Sequence, residues 1–297
     1  MDFRALAMGL AFAFIWASAF SSARIIVAEA PPLSALALRF LISGMLGIAI
    51  ARALGQSWRL TGPQWRATVI FGLSQNALYL GLNFVAMQTL EASMAAIIAS
   101  TMPLLVALFG WIVLGERVRP LGVVGLVVGF VGVAIIMGSR ISGGVDLFGL
   151  VLCIAGVFAL TAATLSVRGA SSGGNVLMIV GLQMLVGAVA LGLAALGVGE
   201  VWDVSWSWKL AAAFGYTTLF PGLIATLIWF LLVRRVGAVR AATFHFLSPF
   251  FGVSIAAILL GERLGPMDVT GVAVIMAGIL AVQMSKQARG AVPVQGR

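Results

Sequence analysis

Between residues 5 and 285 the sequence is an almost unbroken series of apolar runs, each about as long as a membrane is thick. A helix that crosses a bilayer needs roughly 20 such residues. Cutting the chain at its charges and turn signals yields ten segments, at 5–26, 33–53, 66–88, 92–114, 120–138, 146–168, 175–196, 208–233, 240–261 and 267–285. The runs are continuous rather than alternating, which excludes barrel strands. Composition closes the argument: 62% of residues are hydrophobic and 9% charged, against roughly 25% charged in soluble proteins. Lipid is the only solvent that tolerates such a surface. The expected fold is therefore an all-α integral membrane protein with ten transmembrane helices. The first run outlasts a signal-peptide core, and Asp2 offsets Arg4, so it is expected to be retained as a helix.

Several function classes drop out. Cys153 is the only cysteine, which leaves neither a disulfide nor a thiolate metal site, and no cofactor is predicted. The net charge of +9 comes from dispersed cations without an aromatic-interleaved stripe, so nucleic acid is not an expected partner. Gly169-Ala170-Ser171-Ser172-Gly173 matches a nucleophile-elbow pattern, but it lies in a polar loop between membrane segments with no preceding strand. No phosphate-binding loop occurs. A non-enzyme is expected.

The cations also predict orientation. Thirteen of the 18 basic residues fall on the side of the termini, and four (Arg24, Arg140, Lys209 and Arg263) fall in the opposite loops. Arg39 lies inside the second segment. The positive-inside rule then places both termini in the cytoplasm of a cell whose inner membrane holds the chain. Trp58 and Trp65, and Trp202, Trp206 and Trp208, sit where aromatic rings anchor at the two interfaces.

A shift of 146 positions lays one region on another. Pro103, Leu114-Gly115-Glu116-Arg117, Pro120, Gly125 and Gly132 fall on Pro249, Leu260-Gly261-Glu262-Arg263, Pro266, Gly271 and Gly278. This predicts a duplication, with one unit at 1–138, a second at 146–285 and a cytoplasmic tail at 286–297. Five helices per unit is an odd number, so the second repeat is inverted, and the solute site is expected near the midplane between the repeats. The Gly-Glu-Arg tripeptides read as helix ends, glycine taking the left-handed cap and Glu116 and Glu262 being architectural.

Taken together, the ten helices, the five-plus-five repeat, Pro-x11-Gly-Glu in the fourth helix of each unit, the glycine-striped fifth helix and Ala37-Leu38-Arg39-Phe40 resemble the EamA branch of the drug/metabolite transporter superfamily. The resemblance covers about residues 5–285 and is most similar to bacterial amino-acid exporters of the YddG type. It implies outward movement of aromatic and other neutral amino acids. Proton-coupled export of drugs or other metabolites, and a non-transporting membrane subunit, are the alternatives.

Polar residues at membrane depth usually face a cavity or another helix. Asn76, Tyr79 and Asn83 are spaced to share one helical face. With Trp16, Trp229, His245 and Ser248 they form the expected substrate-binding set, between the first, third, fourth, sixth, eighth and ninth helices. Pro103 and Pro249 are the expected hinges, opening kinks whose freed carbonyls contact the solute. Ser18, Ser100, Thr101, Thr161, Thr164 and Tyr216 are weaker candidates, because hydroxyls often bond their own helix. Arg39 could bind a carboxylate, but is expected instead to snorkel to the interface or to bond backbone carbonyls. Gly122, Gly125, Gly129 and Gly132 lie on one face for close helix packing. No carboxylate lies near the centre of any segment. A facilitated uniporter of a neutral or zwitterionic metabolite is therefore expected, monomeric or weakly dimeric in the bilayer.

Overall fold

The computed structural model describes residues 3–166, 173–236, 241 and 243–287. These form ten helices and, among the described residues, no strand. They are α1 (Phe3–Glu29), α2 (Pro32–Ala53), α3 (Gly62–Ala86), α4 (Ala92–Ile112) and α5 (Pro120–Ser142), then α6 (Leu147–Ser166), α7 (Val176–Gly197), α8 (208–236), α9 (Phe244–Leu260) and α10 (Pro266–Gln287). Nine are long and apolar enough to cross a membrane, and α9 is a shorter apolar helix. Gly261 ends α9 in the left-handed conformation at φ 68°, and Gly115, three residues past the end of α4, takes the same conformation at φ 64°, where a Cβ would clash with the backbone.

The helix pairings have a repeating logic. α5 lies along α10, α2 along α7 and α4 against α9, while α1 packs on α8 and α9 as α6 packs on α3 and α4. Glycines set the two longest contacts. A Cβ on Gly278 of α10 would stand 2.4 Å from the amide nitrogen of Gly129 in α5. On Gly181 of α7 it would stand 2.9 Å from the Gly44 carbonyl oxygen in α2. Such approach is what lets helices associate in lipid, where apolar burial supplies no drive.

Four of the ten helices are locally distorted, and the distortions fall at matching positions in the two halves. α3 carries a π-helical stretch at Gly72–Tyr79, and α8 carries one at Thr218–Ile224, starting 146 positions later. In α8 the cause is visible: Pro221 lies inside the stretch and has no N–H to give. α9 opens with a 3₁₀ turn at Phe244–Leu247. α4 turns once in the same way where Thr101 N–H donates to the Ile98 carbonyl, again 146 positions earlier.

Seven of the nine acidic residues lie at the end of the bundle where the even-numbered helices begin. Their role is to cap. Glu200 accepts from the Leu33 and Ser34 amides of α2 at 3.1 and 2.7 Å. Glu262 accepts from Ala92 and Ser93 of α4 at 2.7 and 2.9 Å. Asp146 takes Gly149 of α6 at 2.9 Å. Each carboxylate meets orphan N–H groups and the positive end of a helix dipole. Glu262 is thus architectural in a specific sense: it holds α4 from the loop before α10. Arg140 bridges Glu91 and Asp268 at 2.7 and 2.8 Å at the same end.

Candidate functional site

The polar wall inside the bundle starts on α3. Gly72 brings this helix against α7, where an added Cβ would meet the Gln183 carbonyl oxygen at 2.7 Å. The π-helical stretch that follows delivers Asn76 and Tyr79 inward, and both are buried. Asn83, one turn beyond, is buried with them. The three line one cavity of about 80 Å³, which is room for several waters or a small solute.

Trp16 and Phe20 of α1, Arg39 of α2, Gln183 of α7 and Thr217, Gly222 and Thr226 of α8 complete the wall. A second, smaller chamber of about 10 Å³ adjoins it and shares Trp16, Phe20 and Tyr79. Pro103 of α4 and His245 and Ser248 of α9 line that chamber.

The arrangement differs from the expected one in three respects. The larger cavity is built by α1, α2, α3, α7 and α8, so α2 and α7 belong to it, while α4, α6 and α9 reach only the smaller chamber. Trp229 lines neither. It packs on Phe12 and His245 with ring centroids 4.8 and 5.4 Å apart, in an aromatic cluster behind the chamber. Pro249 also lines neither, and the carbonyl it leaves without an i+4 donor is not free. The 3₁₀ turn redirects Ser248 N–H to the His245 carbonyl. The Ser248 hydroxyl is left buried without a hydrogen bond.

Hydrogen bonding sorts the candidates further. Asn76 Nδ2 donates to the Gln183 carbonyl at 3.0 Å, tying α3 to α7. Asn83 Nδ2 donates to the Tyr79 carbonyl at 2.8 Å in its own helix. The Tyr79 side chain is 1% exposed, and among the described residues nothing bonds its hydroxyl, which is therefore available to a solute. Ser18 and Tyr216 share a bond of 2.6 Å between α1 and α8 instead of lining a cavity. Thr161 and Thr164 each bond a carbonyl of their own helix at 2.8 Å. Ser100 and Thr101 do the same at 2.6 Å.

Arg39, Gln75, Gln183, Phe20 and Thr226 were not in the expected set. A cation or amide inside a membrane helix is a signal for the first three. Nothing in the sequence singles out Phe20 or Thr226.

The model of the EamA-like transporter family matches this chain twice, over residues 3–138 and 147–284. The chain belongs to that family. Two relatives named as transporters match along nearly their whole length. The inner membrane transporter YedA of Escherichia coli is 30% identical over 283 residues, 94% of this chain and 90% of its own. The transporter YvbV of Bacillus subtilis is 26% identical over 289 residues, 97% of this chain and 94% of its own. The aromatic amino acid exporter YddG of Ancylobacter novellus matches more narrowly, at 34% over 116 residues, 38% of this chain. A protein of known crystal structure shares the fold, with a TM-score of 0.68 over 96% of this chain and 98% of that one, at 21% identity. This EamA-like transporter is thus a multi-pass membrane protein whose central cavity is the candidate solute site.

Proposed function

We propose that the protein exports a zwitterionic solute, an aromatic or other neutral amino acid, by alternating access of two inverted repeats around the central cavity. One observation carries this reading. The larger cavity sets Trp16, Phe20 and Phe40 beside the Asn76 and Asn83 amides, and its lining contains no carboxylate. Aromatic faces suit an apolar side chain, at on the order of 1 kcal/mol per ring pair. Amides and the Tyr79 hydroxyl suit charged but net-neutral ends. Without an acid in the wall there is no resident site for proton exchange, so transport is facilitated rather than obligatorily coupled.

The partial likeness to an aromatic amino acid exporter supports the substrate class. The charge distribution supports cytoplasmic termini. Reporter fusions at residue 297 and between α7 and α8 are expected on opposite sides; the same side for both rejects the topology.

The functional test is counterflow in liposomes holding only the purified chain. A labelled neutral amino acid is expected to exchange whether or not a pH gradient is present. Loss of flux on collapsing the gradient, restored to indifference by His245→Ala, assigns a proton to the mechanism instead. No flux with any amino acid rejects the substrate class.

A further inference from the structure

Among the described residues, one cation is buried in the apolar body of the bundle. Arg39 lies seven residues past the start of α2, about 10 Å along its axis. Its side chain is 5% exposed and forms part of the wall of the larger cavity. It does not run along α2 toward the helix end. Nε reaches across to α8 and donates to the Thr217 carbonyl at 3.3 Å. The guanidinium carbon lies 4.8 Å from the centre of the Phe40 ring. No other hydrogen bond of this side chain is made among the described residues, and both ion pairs there belong to Arg140 at the bundle end. On the α8 side Gly222, which also lines the cavity, stands beside the fork: an added Cβ there would lie 3.8 Å from Nη2, in van der Waals contact.

A guanidinium removed from water and given no anion is expensive, and chains normally relieve it with an acid or by snorkelling. Here neither occurs. What remains is a planar donor fork held from behind by a backbone carbonyl and presented to a cavity, the geometry that takes a carboxylate through two parallel hydrogen bonds.

We propose that Arg39 is the carboxylate anchor of the transported solute and the main determinant of its class. This rests on the amino-acid reading and deepens it: the carboxylate, rather than the amino group, becomes the obligatory feature. It also accounts for the acid-free wall, since a resident carboxylate would occupy the fork. Position 185, 146 residues after Arg39, is Leu, so only one wall carries the anchor and the solute binds in one orientation.

The test uses the full-length protein in liposomes, with phenylalanine counterflow competed by phenylalanine or by phenylalaninamide, which keeps the ring and amino group but lacks the anion. The amide is expected to compete at least about tenfold more weakly, as loss of a charge-assisted bond dictates. Arg39→Gln is expected to raise the half-saturating phenylalanine concentration by about tenfold or more and to bring the acid-to-amide ratio near one. Arg39→Lys, a point charge without the fork, is expected to keep part of that ratio. A purely structural arginine would lower yield or turnover for both ligands alike and leave the ratio unchanged, which overturns the proposal. Equal competition by acid and amide in the unmodified protein overturns it while sparing the amino-acid reading, and does so even if Arg39→Gln does not fold. Failure of both ligands to compete rejects the reading and the anchor together.

Discussion

Residues 3–138 and 147–284 match the same family model, yet they contribute to the cavity very differently. Their backbones behave alike: π-helices begin at Gly72 and Thr218, and short 3₁₀ turns precede Pro103 and Pro249. Their side chains do not. Positions 146 apart pair Arg39 with Leu185, Asn76 with Gly222, Tyr79 with Ala225 and Asn83 with Trp229. The first half supplies charge, amides and a free hydroxyl. The second supplies small and apolar residues at those matched positions, and adds Gln183, Thr217 and Thr226 to the wall but no charge. Two like backbones can enclose a cavity, but only unlike side chains can set its charge on one side.

The largest effect is expected where the halves touch most closely. Gly278→Leu would drive a side chain into the Gly129 backbone of α5, 2.4 Å from its nitrogen. Backbone cannot yield as a side chain does, so the cost should exceed the usual overpacking penalty of about 1–3 kcal/mol. Folded protein in detergent should be lost. Gly181→Leu, against the Gly44 carbonyl at 2.9 Å in the α2–α7 pair, should lower the yield less. Equal, normal yields would show that these contacts do not hold the halves together.

Next comes the unequal wall. Tyr79→Ala and Asn76→Ala are expected to cut flux by about tenfold, as loss of one or two solute bonds implies, while the protein still inserts. Trp229→Phe, at the position matching Asn83 but outside both cavities, should hold flux within about twofold, its ring packing being kept. Counterflow on reconstituted variants measures the contrast, and a larger loss in Trp229→Phe would reverse the assignment of the two halves.

Smaller changes are expected at the caps. Glu262→Gln weakens the hold on the α4 amides and should cost about 1 kcal/mol, read as a lower melting temperature with the same substrate preference. The smallest effect belongs to Asp146. The Thr89 hydroxyl, followed by the Gly149 amide, holds its carboxyl below the usual carboxylate range. A depressed folded value means that the contribution is present above the unfolded value and is lost as pH falls through the folded one. A slight drop in melting temperature below the ordinary carboxylate range, absent in Asp146→Asn, is the expected outcome.

Much of this architecture is legible in the amino-acid sequence. Bilayer thickness fixes the length of an apolar run, so the spans were readable from composition along the chain, to within a few residues at their ends. The glycine spacing on α5 and α10 was readable because helical periodicity places residues three and four apart on one face. Asn76, Tyr79 and Asn83 were legible as a cavity wall for the same reason. Periodicity, however, assumes an unbroken helix, and the π-helical stretches depend on how α3 meets α7 and on where Pro221 falls in α8. The caps made by Glu200 and Glu262 join residues more than 160 positions apart, a pairing that no local pattern encodes. Arg39 shows the division most plainly. Its place in the apolar run sets its depth in the membrane, but whether a long cationic side chain turns to the interface or across to Thr217 depends on the rotation of α2 about its axis. That rotation is set by α7 and α8 packing around it, contacts that no local pattern along α2 contains.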